Sequence, residues 1–159
     1  MKAGPSCISL PATSPAAALW RAALAGGATG LRSTVAIASL IDSGAPGLPA
    51  PLTRPRARTA ARIAVAAELV IDKLPWTPSR LERRGLTARV ASAAAAAVVL
   101  GRDANGPVLP RVLVAATATL VSARVGHDVR VAAEKRFPPL AVAAVEDAIA
   151  LTLASAARR

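Results

Sequence analysis

The stretch "ELVIDKLPW" (Glu68–Trp76) closes a longer apolar run, "ARIAVAAELVIDKLPW" (Ala61–Trp76). The run has the composition of a buried helix, yet it carries Glu68, Asp72 and Lys73. Glu68 and Asp72 lie one helical turn apart and so share a face. Lys73 stands beside Pro75 and Trp76, where a lysine snorkels and a tryptophan rests at a membrane–water interface. The segment reads as a helix with one acidic face, ending in interface anchors at Lys73 and Trp76.

The rest of the chain has the same character. Hydrophobic residues make up 53% of the 159 residues and aromatics only 2%, and the mean hydropathy is +0.45. This length allows one compact unit. A soluble core of that size normally relies on aromatic rings for buried area. Here Ala, Val and Leu carry the apolar content, and small residues are what closely packed membrane helices use at their contacts. Five apolar stretches stand out, near residues 16–41, 60–74, 86–101, 108–126 and 138–157. Between them lie "DSGAPGLPAPLTRPRART", "PWTPSRLERRG", "RDANGP" and the polar connection "HDVRVAAEKRFPP", part of which can be helical. Alanine is depleted in strands and no useful apolar–polar alternation occurs, so the fold class is all-α. Helices apolar nearly all round belong inside a large protein or a membrane, and this chain is too small to be the former. The expected architecture is a polytopic membrane helical bundle of about five helices. It forms a single domain over 16–157, with a disordered lead at 1–15 and a Pro-rich loop at 42–59. A span needs about 20 residues at about 1.5 Å each. The first, fourth and fifth stretches approach this; the second and third would be tilted, extended or re-entrant.

The formal net charge is +11. Nucleic-acid binders concentrate such charge on one face, often with stacking aromatics. Here arginine is spread over every polar connection, with no Tyr and one Phe. The expected partner is therefore a lipid bilayer with anionic headgroups, not nucleic acid; a homo-oligomer is compatible with the pattern. The Arg54, Arg56, Arg58 and Arg62 loop would face the side opposite Lys73, Arg80, Arg83, Arg84 and Arg89, and the positive-inside rule favours the second as cytoplasmic. Cys7 is the one cysteine and His127 the one histidine. No metal set, nucleophile–base–acid set or phosphate-cradling loop can be assembled, so neither a cofactor nor an enzymatic activity is expected.

Further charges interrupt the apolar stretches: Arg32 in the first, Glu146 and Asp147 in the fifth, and Arg124 and Arg130 about the end of the fourth. A charge at mid-bilayer costs about 2.5–3.5 kcal/mol. Alanine-rich helices gain too little on insertion to offset several of these, so the groups must face one another, face water or be neutralised. The candidate intramembrane polar site is Arg32, Glu68, Asp72, Arg130, Glu146 and Asp147. It either holds an ion, proton or small solute, or fixes helix register. Gly26 and Gly30 form a small-xxx-small pair suited to a close helix crossing. A weak inverted repeat relates "GGATGLRSTVA" and "AAELVIDKL" to "SARVGHDVRVA" and "AAVEDAIAL". It predicts pairing of Arg32 with Glu146 or Asp147, and of Arg130 or Arg124 with Glu68 or Asp72.

Five segments occur in order: "GATGLR" (Gly27–Arg32), "AELVIDKLPWTPSR" (Ala67–Arg80), "ARVASAAAAAVV" (Ala88–Val99), "HDVR" (His127–Arg130) and "AVEDAIA" (Ala144–Ala150). Together they resemble the bacterial membrane proteins grouped as domain of unknown function 4126, over about Leu19–Leu153. The Glu-x-x-x-Asp-Lys-x-Pro motif is the most specific part, and the Pro-rich insertion after Asp42 is a departure. The resemblance implies a multi-pass membrane protein and carries no established activity. The leading expectation is a small multi-pass inner-membrane protein, a transporter or channel-like module. The alternatives are a non-transporting membrane scaffold or interaction subunit, and a soluble basic helical protein that binds nucleic acid.

Overall fold

Proline and serine set the helix starts. Ser14 Oγ accepts the Ala17 N–H at 3.2 Å and Pro15 occupies the first turn, where its missing N–H costs nothing. Pro55 and Pro139 open two later helices in the same way. The computed structural model describes residues 14–71, 83–102, 104 and 106–159. It contains α1 (Pro15–Leu31), α2 (Val35–Ser43), a short 3₁₀ turn (Ala50–Thr53), α3 (Pro55–Ile71), α4 (Arg83–Leu100), α5 (Val108–Ala133) and α6 (Pro139–Ala157). The architecture is all-α, with no strand among the described residues.

Several expectations shift. The first apolar stretch is two helices, because Arg32 adopts an extended conformation (φ −139°, ψ 118°) that ends α1. The Pro-rich segment is a shorter loop than 42–59: α2 runs on to Ser43, and Ala50–Thr53 and Pro55 onward are helical. Gly44 closes α2 with a φ of +67°, which an L side chain rarely adopts. The polar "HDVRVAA" continues α5 to Ala133. Of the lead expected at 1–15, Ser14 and Pro15 instead form the cap and first turn of α1, while residues 1–13, like Asp72, Lys73 and Trp76, lie outside the described residues.

α1 is the central element and meets α4, α5 and α6. Its contact face is Ala18, Ala22, Ala25, Ala28 and Thr29, a helical stripe of small residues. The facing stripe of α5 is Arg111, Ala115, Thr119 and Ala123. Close approach is built into this crossing. A Cβ at Gly26 would overlap the Ala115 backbone, and one at Gly30 the Thr119 carbonyl and the Ser122 hydroxyl. Thr119 Oγ1 donates across the crossing to the Gly26 carbonyl at 3.1 Å.

Many large aliphatic side chains lie outside. Leu109, Leu113, Val121, Val125 and Val129 of α5 and Leu140, Val145 and Ile149 of α6 are exposed, while Arg32, Arg89, Arg111, Glu146 and Asp147 are buried. This departs from the usual partition of a water-soluble protein: many large aliphatic side chains face outward, while the buried positions are mostly alanine with a few larger aliphatics and partnered charges. Among the described residues, α5 and α6 are the two helices long and apolar enough to cross a membrane. Their apolar windows are only 22% and 33% buried, unlike the core helix of a soluble protein. The apolar part of α4, Gly85–Leu100, is shorter.

Candidate functional site

The break between α1 and α2 gathers the charges. "GLRSTV" (Gly30–Val35) puts an arginine and two hydroxyl residues in succession. Ser and Thr side chains compete with helical backbone bonding, so this is the weakest point of the first apolar stretch. A break leaves carbonyls bare at the end of α1 and N–H groups bare at the start of α2. Residues from other helices supply the partners for both.

Glu68 of α3 serves the start of α2. Its carboxylate accepts the Ser33 N–H at 2.5 Å, the Thr34 N–H at 2.9 Å and the Thr34 hydroxyl at 2.5 Å. Thr34 makes no capping bond to its own helix, so the α2 cap comes from Glu68. A carboxylate there also meets the positive end of the α2 dipole. Arg89 of α4 serves the end of α1. Its Nη1 donates to the Gly30 carbonyl at 2.9 Å and to that of Thr29 at 3.3 Å. The two ends of the broken helix thus each face a charge of the favourable sign.

Arg32 itself leaves the break toward α6. It is fully buried, and its Nε donates to Asp147 Oδ1 at 2.6 Å while Nη2 meets the same oxygen. Asp147 is nearly buried. Beside it, Glu146 receives Arg130 Nη1 at 3.4 Å, and Arg130 Nε donates to Glu134 at 2.7 Å. Asp147 thus meets the arginine of the broken helix, and Glu146 meets one on α5.

Of the residues singled out in the sequence, Arg32 and Asp147 meet, and Glu146 meets Arg130. Glu68 lies beside the same break through Ser33 and Thr34. Of the expected pairing of Arg130 or Arg124 with Glu68 or Asp72, the Glu68 arm does not form, and Asp72 lies outside the described residues. Arg124 pairs with Asp128 one turn along α5, Arg130 takes Glu134 and Glu146, and the Glu68 carboxylate is taken by α2. The physical reason is that α1 breaks at Arg32 whereas α5 runs unbroken through Arg130. Arg32 and Arg130 therefore stand in unlike backbone settings.

No family model, curated protein or solved structure matches this chain.

Three arginines went unnoticed as structural groups in the sequence. Arg89, the buried Arg111 and Arg21 each serve the end of a different helix. Arg111 donates to the Gly101 and Ala104 carbonyls after α4, at 2.9 and 3.4 Å. A Cβ on Gly101 would collide with that guanidinium, so the glycine makes its seat. Arg21 Nε donates to the Ala157 carbonyl of α6 at 2.9 Å. Three of the twenty basic residues are thus committed to bare helix ends. The available signal was position: Arg111 follows Ala115, Thr119 and Ala123 backward at four-residue spacing, on the small-residue face. Among the described residues no three His, Cys, Asp or Glu side chains come close enough to hold a metal. Chemically, the cluster can hold opposite charges in a fixed register within an apolar surround.

Proposed function

We propose that this chain is a small multi-pass protein of the bacterial inner membrane, of the kind its sequence resembles, with α5, α6 and the remaining apolar helices packed as one bundle about α1. The observation that carries this reading is the outward-facing aliphatic surface of α5 and α6 beside buried ion pairs. The charges then act as struts. The Arg32–Asp147 pair, the Arg130–Glu146 pair and the Glu68 and Arg89 caps hold the broken helix in register. This supports a non-catalytic membrane scaffold or interaction module, because each of these acids meets donors from within the protein. One observation favours a second reading, a transporter or channel-like module. A discontinuous helix with its ends beside opposite charges is an arrangement transporters use near the bilayer midplane.

Membrane fractionation tests the first step: recovery of the chain in the soluble fraction without detergent would overturn it. The role of the charges is then tested by exchange. Arg32→Asp alone abolishes folded yield in detergent, and Arg32→Asp with Asp147→Arg restores it if the pair is a strut. Reconstituted vesicles separate the two readings. A proton or ion leak carried by the wild type and lost in Glu146→Gln would establish transport.

A further inference from the structure

α5 and α6 are joined by a short connection yet diverge beyond it. Between them runs a cleft of about 550 Å³, within the roughly 300–1,000 Å³ of small-molecule sites. Its walls are Val125, Val129, Val142, Val145 and Ile149, with Gly126 on the floor and the Arg130–Glu146 pair part-way along. A second cleft of about 550 Å³ adjoins it and shares Val129, Ala133 and Phe137. That one is lined by Lys135 and Arg136. Glu134 pairs with Arg130, and among the described residues no carboxylate pairs with Lys135 or Arg136.

The geometry points to an anionic membrane phospholipid seated here, its phosphate at Lys135 and Arg136 and one acyl chain between α5 and α6. Three features fit this occupant. The cleft follows α5 from Ser122 to Ala133, about 16 Å at the helical rise. That is close to half of the roughly 30 Å hydrocarbon core, the depth of one leaflet. The apolar walls and the cationic end are contiguous, in the order an anionic lipid presents its tail and headgroup. Phe137 stands at the junction, the level at which aromatic rings collect at a membrane interface. The inference rests on the membrane reading above and names a specific lipid site within it.

The test uses the full chain purified in detergent, after fractionation has established that it is a membrane protein. Phosphatidylglycerol and phosphatidylcholine with identical acyl chains are titrated and bound lipid is counted by native mass spectrometry. Wild type prefers phosphatidylglycerol, and Lys135→Gln with Arg136→Gln lowers that preference by roughly 25-fold, about fivefold for each cation near a headgroup. Val145→Trp, at an exposed position on the cleft wall, weakens both lipids alike, with helix content by circular dichroism as the check on folding. Equal binding of the two lipids by wild type, or no change in the double variant, overturns the inference and leaves the membrane reading standing. So does displacement of phosphatidylglycerol by inorganic phosphate alone, or indifference to Val145→Trp.

Discussion

Glu68→Gln is the most informative single substitution. The side chain keeps its shape and loses its charge. In the native site the carboxylate accepts three hydrogen bonds, two from backbone N–H groups and one from the Thr34 hydroxyl. An amide has only one acceptor oxygen, so at least one of the Ser33 and Thr34 N–H groups meets an NH₂ instead. Leaving a buried donor unsatisfied costs about 1–3 kcal/mol. A bond that survives falls from the charged range of about 1.5–3 kcal/mol to the neutral one of about 0.5–1.5 kcal/mol. The lost interaction with the α2 dipole adds about 0.3–1 kcal/mol. Together these give a destabilisation of roughly 3 kcal/mol, with Glu68 half-buried and partly screened. At about 2–4 °C per kcal/mol for a chain of this size, the melting temperature in detergent falls by roughly 6–12 °C. Thr34→Val removes only the hydroxyl donor and costs less, roughly 1 kcal/mol. The double variant falls short of the sum, since both changes act on one carboxylate. Thermal melts of the three variants by circular dichroism decide the matter. A shift under 2 °C for Glu68→Gln, or strict additivity with Thr34→Val, would refute the view that α3 caps α2.

Other consequences follow from the same contacts. Arg32→Met destabilises by about 3–5 kcal/mol because it leaves Asp147 without its guanidinium, while Arg32→Met with Asp147→Leu recovers most of the loss; chemical denaturation in micelles measures both. Gly30→Ala disrupts the α1–α5 crossing and lowers the melting point. Gly27→Ala, whose Cβ would meet only Leu153 Cδ1 at 3.5 Å, stabilises by up to about 1 kcal/mol through helix propensity. Arg89→Gln bares the α1 carbonyls, and hydrogen exchange at Arg32–Thr34 accelerates while the middle of α5 stays protected.

The helical class was legible from composition, because alanine without alternation leaves no other regular structure. So were the positions of α4 and α6 and the start of α5 after Pro107, whereas α5 runs on through the polar segment that was expected to follow it. Arg32, Glu146 and Asp147 were legible as groups needing relief, since a charge inside an apolar run is costly whatever surrounds it. The break after Leu31 was not. "GLRSTVAIASL" has no proline, and its local propensities permit one continuous helix. The roles of Arg89 and Arg111 were also hidden, because a long cation near a helix end has the same appearance in sequence whether it faces solvent or another helix.

The sequence by itself therefore determined an α-helical chain with small-residue contact faces and charges that could not be left alone. Tertiary structure decided which charge meets which. Arg32 finds Asp147 and Glu68 finds α2 only because α1 stops where carbonyls and N–H groups from two helix ends come within reach of α3, α4 and α6. Local preference is too weak to choose between a continuous and a broken helix. The partners that satisfy the bare backbone at the break lie between 34 and 60 residues away along the chain, and they tip that balance.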